Sequence, residues 1–165
     1  MPVVSNTSPI LNLAIIGQLS LLNRQFGTIL IPLAVHEELR VEMDLPGSQI
    51  IRQALEAGWI QVKEVRDKPF AKVLQHNLDQ GEAEAIALAL QTGAQWTLLD
   101  EREGRRVAKS LGLRVTGVLG ILLRAHQEQK LGSLEEVLQE LREKAGFHIR
   151  EELLSEVLKG KILKP

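Results

Sequence analysis

The sequence predicts an α/β protein, a three-layer α/β/α sandwich with a mostly parallel central sheet. Strand-like segments alternate along the chain with helical ones, which is the pattern of successive βα units. Two strand-like segments, Thr28–Ile31 and Trp96–Leu99, are continuous rather than alternating runs of apolar and β-branched residues. Strands that are covered on both faces of a parallel sheet have this character. The length of 165 residues is typical of one domain, so we expect residues 1–165 to form a single domain.

The first half of the chain supplies three predicted strands and four helices. After the first strand, the hydroxyls of Thr7 and Ser8 are suited to a helix N-cap and Pro9 to a first helical turn. Trp59–Val65 alternates apolar and polar residues, as a half-exposed strand does. The predicted strands of this half are Val3–Ser5, Thr28–Ile31 and Trp59–Val65, and the predicted helices are Ile10–Ile16, Leu19–Phe26, Val35–Glu42 and Ile50–Ala57.

The second half is richer in helices. Glu82–Gln91 has the strongest helical pattern, because it is rich in alanine and Gly93 stands where a C-terminal stop is expected. Residues 146–165 are predicted to form a C-terminal helix and a basic tail with Lys159, Lys161 and Lys164. The other predicted elements are helices Phe70–Asn77, Glu101–Leu111, Val118–Gln129, Leu134–Lys144 and Glu151–Leu158, with strands Trp96–Leu99 and Leu113–Thr116.

Composition excludes several classes of function. There is no cysteine, so disulfides, thiol catalysis and cysteine metal sites are absent. The four histidines match no zinc-binding spacing, and the sequence contains neither of the glycine-rich nucleotide-binding motifs. The net charge of −1, from 20 Lys+Arg and 21 Asp+Glu, gives no overall attraction to nucleic acid or to a membrane surface. Any nucleic-acid binding must therefore come from a local basic patch.

The N-terminal 35 residues contain one ionisable side chain, Arg24. No basic segment precedes the apolar stretch, as a secretory signal peptide requires. The longest apolar run, Ile10–Leu22, is interrupted by polar residues and is shorter than the ~20 residues that a membrane span needs. We interpret this region as buried core, and we expect a cytoplasmic protein that does not contact membranes.

Polar side chains follow the predicted strands at the edge where open α/β sheets bind their ligands. Asn6 follows the first strand, Glu38 lies on the helix after the second, and Asp100 ends the fourth. Glu82 opens the alanine-rich helix that precedes the fourth strand. Oxygen ligands from separate elements, without histidine or cysteine, suit a hard cation such as Mg²⁺ or Mn²⁺. Such an ion activates water and neutralises charge on a phosphate.

Each acid also has a purely structural interpretation. Asp79 and Glu82 have the spacing of a capping box, in which the first residue caps a helix and the second reaches back to it. Asp100 and Glu103 have the same spacing, and a cap alone stabilises a helix by about 1 kcal/mol. Glu38 is equally compatible with a solvated helix face.

A basic cluster begins just after Asp100. Arg102, Arg105, Arg106 and Lys109 are three or four residues apart, so they share one side of a helix. Cations beside a carboxylate group suit a site that handles phosphodiesters. A solvated helix whose basic residues pair with Glu101 and Glu103 explains the same pattern.

The ordered set of these segments resembles a PIN-domain protein, closest to a compact subgroup of predicted nucleic-acid-binding proteins related to VapC-type toxins. The resemblance runs in order over roughly Val3–Gly146. The segments that carry it include Val3–Ile10, Val35–Leu39, Leu78–Ala89, Leu98–Glu101, Gly104–Ala108 and Leu111–Gly117.

The resemblance implies a metal-dependent ribonuclease with an acidic centre. It places Asn6, Glu38, Glu82 and Asp100 at the four catalytic and metal-binding positions, Glu82 being favoured over Glu84 because Asp100 follows it after 18 positions. It implies that the first and fourth strands are neighbours, so that Asn6 and Asp100 face each other. It also places Thr7 beside the metal. Arg102, Arg105 and Arg106 are our candidates, with Thr7, for RNA phosphate contacts.

One departure affects the expected activity. The family has an acid where this chain has Asn6, and an amide oxygen brings no negative charge to a cation. The first hypothesis is an Mg²⁺- or Mn²⁺-dependent ribonuclease, the toxin of a toxin–antitoxin pair, which acts on RNA, binds a small antitoxin protein and forms a homodimer. The second is a weakly active or inactive PIN-fold RNA-binding or regulatory module. A third is a flavodoxin-like domain that binds a small anion and has no metal at these acids.

Overall fold

Five parallel strands form one sheet in the order β3-β2-β1-β4-β5 in the computed structural model, which describes residues 1–159. The strands are β1 Val3–Ser5, β2 Ile29–Pro32, β3 Ile60–Lys63, β4 Trp96–Leu98 and β5 Val115–Thr116. The helices in this part of the chain are α1 Thr7–Ile15, α2 Ser20–Phe26, α3 Leu33–Leu39, α4 Ser48–Ala57, α5 Lys68–Leu74, α6 Gln80–Thr92, α7 Arg102–Ser110, α8 Val118–Gln127, α9 Leu134–Lys144 and α10 Glu151–Leu158.

Helices cover both faces of the sheet, which confirms the predicted three-layer α/β/α fold. Consecutive side chains of a strand point to opposite faces. Val3 accordingly packs in a core with α1, α2, α8 and α9, whereas Val4 packs on the other face against Ala85 and Leu88 of α6. Both faces of β1 are fully buried, including the polar Ser5 at its end, as in other strands that are covered on both faces of a parallel sheet.

The strand order reverses between β1 and β4. β1 pairs with β2 on one side and with β4 on the other, so the chain moves outward in both directions from the first strand. Connections that leave a sheet in opposite directions open a crevice at the carboxyl ends of the two central strands. This crevice lies where Asn6 follows β1 and where Asp100 follows β4. The predicted pairing of the first and fourth strands is confirmed.

Several predicted boundaries were wrong for identifiable reasons. β5 is shorter than predicted, because Leu113 N donates to Ala108 O and closes the end of α7 instead of pairing with β4. β3 ends at Lys63, because the next backbone groups, Glu64 O and Arg66 N, are bonded by the side chain of Gln91. α3 ends at Leu39 rather than Glu42, because Arg40 adopts a left-handed conformation with φ 48°.

The C-terminal segment belongs to the same core as the first helices. The predicted helix at Glu151–Leu158 is present, and Ile149 and Val157 are buried in the core cluster that contains α1 and α8. Of the predicted basic tail, Lys161 and Lys164 lie outside the described residues. The apolar residues of α8 and α9, including Leu122 and Leu138, are also buried within this chain.

No helix within residues 1–159 has the length and apolar character needed to cross a membrane.

Candidate active site

The four residues predicted for the acidic centre lie at the carboxyl edge of the sheet, around the crevice between β1 and β4. Asn6 directly follows β1, and its N–H donates to Leu98 O of β4 over 3.0 Å. Glu38 is on α3, which begins where β2 ends. Glu82 is in the first turn of α6, and Asp100 lies just after β4. Four separate elements thus bring polar side chains to one edge.

Asn6 and Glu38 meet at Gly81, the second residue of α6. A Cβ atom at Gly81 would collide with Glu38 Oε1 and would lie 3.1 Å from Asn6 Oδ1. The other carboxylate oxygen of Glu38 accepts a hydrogen bond of 2.9 Å from Thr7 Oγ1. Any larger residue at this position would displace the Glu38 side chain, because the missing side chain of glycine provides the space that the Glu38 and Asn6 oxygens occupy.

The amide oxygen of Asn6 has no hydrogen-bond donor. Asn6 is the N-cap residue of α1, which begins at Thr7 rather than at the predicted Ile10, but its side chain does not cap the helix. Pro9 occupies the third helical position and has no N–H to offer, so one usual partner of an N-cap side chain is missing. Asn6 is 5% exposed, and its Oδ1 atom is buried without a partner. A buried acceptor in this state costs about 1–3 kcal/mol unless a ligand satisfies it.

Glu82 takes part in the predicted capping box and still leaves one oxygen free. Its N–H donates to Asp79 Oδ1 over 2.8 Å, and Asp79 N donates to Glu82 Oε1 over 3.4 Å. The second oxygen, Oε2, is buried and has no partner. It lies 2.5 Å from the position that a Cβ atom would take at Gly104, on α7. The structural and functional interpretations of Glu82 are thus compatible, because each uses a different oxygen.

Asp100 is held by two donors. Ser8 Oγ donates to its Oδ2 over 2.6 Å, and Val118 N at the start of α8 donates to its Oδ1 over 2.8 Å. The capping box predicted for Asp100 with Glu103 does not form, since α7 begins one residue later with Glu101 in the N-cap position, and the Glu101 side chain makes no capping hydrogen bond. Asp100 instead satisfies the N-terminus of α8, where the helix dipole favours a negative charge.

Burial raises the pKa of all three carboxyl groups. Desolvation is the largest cause for Glu38, for Asp100 and for Glu82, whose pKa rises to about 7. Hydrogen bonds from Thr7 to Glu38 and from Ser8 to Asp100 oppose the shift. The negative charge of Glu101 adds to the increase at both Glu82 and Asp100. Carboxylates that are crowded and desolvated in this way form a site that favours a cation.

The acids do not form a compact cluster of three. Within residues 1–159, no group of three or more His, Asp or Glu side chains has the arrangement of a preformed metal site. The oxygens are directed instead toward three glycines, because Glu38 faces Gly81, Glu82 faces Gly104 and Asp100 faces Gly117. The donor set nevertheless fits a hard cation, since all its atoms are oxygens and two of them, on Asn6 and Glu82, are buried without partners.

The predicted phosphate contacts have different surroundings. Thr7 donates to Glu38. Arg105 donates from Nη1 to Leu99 O over 3.0 Å and lies near Asp100, whose pKa its charge lowers. Arg102 is exposed at the start of α7. Arg106 forms an ion pair with Glu103, with Nε 3.2 Å from Oε2.

Four residues at the site could not be predicted from the sequence, namely Ser8, Gly81, Gly104 and Gly117. Ser8 links Asn12 Nδ2, which donates to its hydroxyl over 2.9 Å, to Asp100. Its hydroxyl had been interpreted only as a helix cap. The three glycines carried a weak signal, because two of them lie inside predicted helices or at their first turn, where glycine is unfavourable without a packing reason.

Replacing Gly117 with alanine is expected to lower the free energy of unfolding by about 1–3 kcal/mol, as overpacking does. The new Cβ atom would lie 2.5 Å from Asp100 Oδ1 and 2.9 Å from the backbone oxygen of Leu99, which cannot rotate away. Urea unfolding measures the change. The matched control is Gly132→Ala, where nothing lies within 4 Å of the new atom. Equal stability of the two variants would contradict the packing of Asp100 against Gly117.

Comparisons with known proteins agree with this fold. A sequence-family model described as a PIN domain matches residues 2–161. Among solved structures, the chain is similar to a PilT N-terminus domain protein from the hyperthermophilic archaeon Sulfolobus solfataricus P2, with 24% sequence identity and a TM-score of 0.51. That similarity covers 92% of this chain and 99% of the archaeal one. No curated protein matches the sequence.

Proposed function

Because the chain belongs to the PIN-domain family, whose members are generally nucleases that use divalent metal ions, we propose that it is an Mg²⁺- or Mn²⁺-dependent endoribonuclease. The observation that carries the proposal is the pair of buried, partnerless oxygens, Asn6 Oδ1 and Glu82 Oε2, at the edge of the sheet where Glu38 and Asp100 also lie. A protein rarely leaves two such acceptors unsatisfied in one crevice without a ligand for them.

The residues divide into two groups in this proposal. Glu82, Asp100 and Glu38 would hold the cation with charged oxygens, and Asn6 would contribute a neutral one. A divalent ion at this place supplies Lewis-acid charge to a phosphate and lowers the pKa of water. Thr7 orients Glu38, and Ser8 orients Asp100, through the hydrogen bonds described above. These bonds keep each carboxylate in one rotamer.

Two of the basic residues support binding of a phosphodiester. Arg102 and Arg105 lie on α7, directly after Asp100, where their charges face an anionic substrate. Arg106 is the weakest of the three candidates, because its guanidinium is already paired with Glu103. Arg105 is the best placed, since its contact with Leu99 O fixes its guanidinium beside Asp100.

Metal titration tests the proposed activity. The protein is first freed of metal with EDTA and then incubated with a 5′-labelled single-stranded RNA while MgCl₂ or MnCl₂ is added. Cleavage is expected to appear with the metal and to disappear again with excess EDTA. Cleavage that persists in EDTA would contradict the proposal.

The neutral side chain of Asn6 favours a second candidate, a PIN-fold RNA-binding or regulatory module with little or no cleavage. Its prediction differs at one point. Such a module binds RNA in EDTA and shows no cleavage at any metal concentration. The titration therefore separates the two functions in one experiment.

The role as a toxin is a further part of the proposal and has its own test. Induced expression of the wild-type chain in a bacterial host is expected to arrest growth, and expression of Glu82→Gln at the same level is not. A small protein encoded next to this chain that restores growth would be the antitoxin. Equal growth with both chains would contradict the toxin role and leave the nuclease activity as a separate question.

A further inference from the structure

We propose that a cleft beside Asp100 binds one nucleotide of a single-stranded nucleic acid, and that the C-terminal segment forms one wall of this cleft. The proposal rests on the proposed nuclease function and extends it to residues that neither the family resemblance nor the comparisons assign. The cleft has a volume of 680 Å³ and lies between α7, the start of α8 and residues 147–157. Binding sites for small molecules have volumes of about 300–1,000 Å³.

The basic side chains of the cleft come from two distant parts of the sequence. Arg102 and Arg105 enter from α7, and His148 and Arg150 enter from the segment before α10. In this segment Ile149 is buried in the core, whereas His148 and Arg150 on either side of it are exposed. His148, Ile149 and Arg150 all border the cleft, and the exposed side chains of His148 and Arg150 are the ones that a ligand can reach. The buried Ile149 anchors them there.

The guanidinium groups of the cleft have hydrogen-bond donors left for a ligand, since Arg105 uses only Nη1, in its bond to Leu99 O. Among the described residues, Arg102, Arg105 and Arg150 form no salt bridge, although Arg106 on the same α7 helix and Arg142 nearby are paired with Glu103 and Glu151. Three arginines and only one carboxylate, Asp100, therefore line this cleft among the described residues. A phosphodiester supplies the missing negative charge, and arginine binds it with two parallel hydrogen bonds.

The floor of the cleft is apolar. It is lined by Leu119 and Leu123 of α8, by Leu153 of α10 and by the ring of Phe147, which is half-buried. A flat apolar base fits such a floor, and bases stack on aromatic rings in proteins that bind single strands. Cationic walls over an apolar floor match a nucleotide with its phosphate and base. They match a double helix poorly, because its bases are stacked and paired inside.

Binding without cleavage tests the cleft. The probe is a 5′-fluorescein-labelled single-stranded RNA of 12 nucleotides, and anisotropy is measured in EDTA with increasing salt. Arg102→Ala and Arg150→Ala are each expected to weaken binding by about tenfold or more, as loss of a charged hydrogen bond does. Each is also expected to reduce the slope of log K against log salt by ~0.7. The charge-matched control is Arg24→Ala. Arg24 is on α2, which leads into the amino end of β2, whereas the cleft lies at the carboxyl ends of the strands.

Phe147 provides an independent measurement. Phe147→Leu keeps an apolar side chain in the floor but removes the ring, and it is expected to weaken binding by at least about fivefold without changing the slope against salt. Circular dichroism and urea unfolding verify that each variant is folded. A duplex of the same sequence is expected to compete poorly with the single strand.

The outcomes separate this inference from the proposed function. If the cleft variants bind RNA more weakly and the wild-type protein never cleaves RNA, the binding role of the cleft is supported and the proposed nuclease function is contradicted. If the double variant Arg102→Ala/Arg150→Ala cleaves RNA in a metal-dependent way with the same KM as Arg24→Ala, the cleft does not bind the substrate. The proposed nuclease function is then unaffected. Failure of the wild-type chain to bind the labelled RNA, or equal binding by all variants, also overturns the cleft.

Discussion

Replacing Glu82 with glutamine is expected to abolish metal-dependent cleavage of RNA and, at the same time, to stabilise the metal-free protein. Cleavage should fall by about two orders of magnitude or more, because Lewis-acid stabilisation of a phosphate is worth several kcal/mol and this carboxylate would supply part of the charge that holds the proposed cation. Glutamine is accepted in a capping box at the same position as glutamate. The start of α6 should therefore remain intact in the variant.

The expected gain in stability depends on pH. The pKa of Glu82 rises from its usual 4.5 to about 7 in the folded chain, because the carboxyl group is buried and lies near Asp79. Between these values the folded protein holds a proton that the unfolded chain has released. The free energy of unfolding of the metal-free protein therefore falls as pH rises from about 4.5 to 7, and it levels off above pH 7, where Glu82 is ionised in both the folded and the unfolded chain.

Urea unfolding in EDTA at pH 5 and pH 8 measures this difference. Wild type and Glu82→Gln should have similar stabilities at pH 5, and the variant should be the more stable at pH 8. Because the raised pKa values of Glu38 and Asp100 act in both proteins, the difference between them isolates Glu82. The control is Glu136→Gln. Glu136 is the third residue of α9, and its N–H donates to the side chain of Ser133, the N-cap residue of that helix, so the control changes the same residue type at the same helical position. A Glu82→Gln variant that still cleaves RNA, or that is no more stable than wild type at pH 8, contradicts the proposed role of Glu82.

The position of the strands along the chain and their parallel type could be predicted from the sequence, because buried parallel strands leave a strong local signal. Ile29–Pro32 is buried throughout, Thr97 and Leu98 of β4 are buried, and the sequences of both strands consist of apolar and β-branched residues. The pairing of β1 with β4 could not be derived from periodicity, since the two strands are separated by most of the chain. It was implied by the family resemblance and is confirmed by the register of Val3 with Trp96.

The site shows where local sequence patterns stop being informative. Asp79 and Glu82 form the capping box that their spacing predicts, because both groups belong to one helix turn. Asp100 and Glu103 have the same spacing and do not, because Ser8 and Val118 compete for the Asp100 oxygens. Ser8 is 92 positions away in the sequence. Such partners become neighbours only when β1 and β4 pair, and no local pattern contains that information.

Asn6→Asp is expected to strengthen metal binding by about tenfold or more, since the affinity of an oxygen site for a divalent cation rises with the number of charged ligands. The side chain has nearly the same shape as asparagine, and its Oδ1 atom already lies buried and unpartnered beside Glu38 and Gly81. The substitution therefore adds charge where an acceptor is already positioned. Cleavage at limiting Mn²⁺ should increase with the affinity.

The same substitution should destabilise the metal-free protein. A new carboxylate at a position that is 5% exposed is desolvated, and the neighbouring Glu38 repels it. Stability in EDTA is expected to fall at pH 8, whereas added Mn²⁺ should raise the melting temperature of the variant more than that of wild type. Calorimetric titration with Mn²⁺ measures the affinity directly.

Asn23→Asp is the control for this change. It adds the same charge to an exposed position on α2, where Asn23 contacts only the local turn at Gly27 O. Stronger Mn²⁺ binding in Asn6→Asp than in Asn23→Asp, with cleavage that rises in parallel, identifies Asn6 as a neutral member of an active metal site. Stronger binding without any cleavage favours the RNA-binding module, because restored charge alone then fails to restore catalysis. Unchanged Mn²⁺ affinity in Asn6→Asp would show that the free oxygen of Asn6 serves a ligand other than a cation.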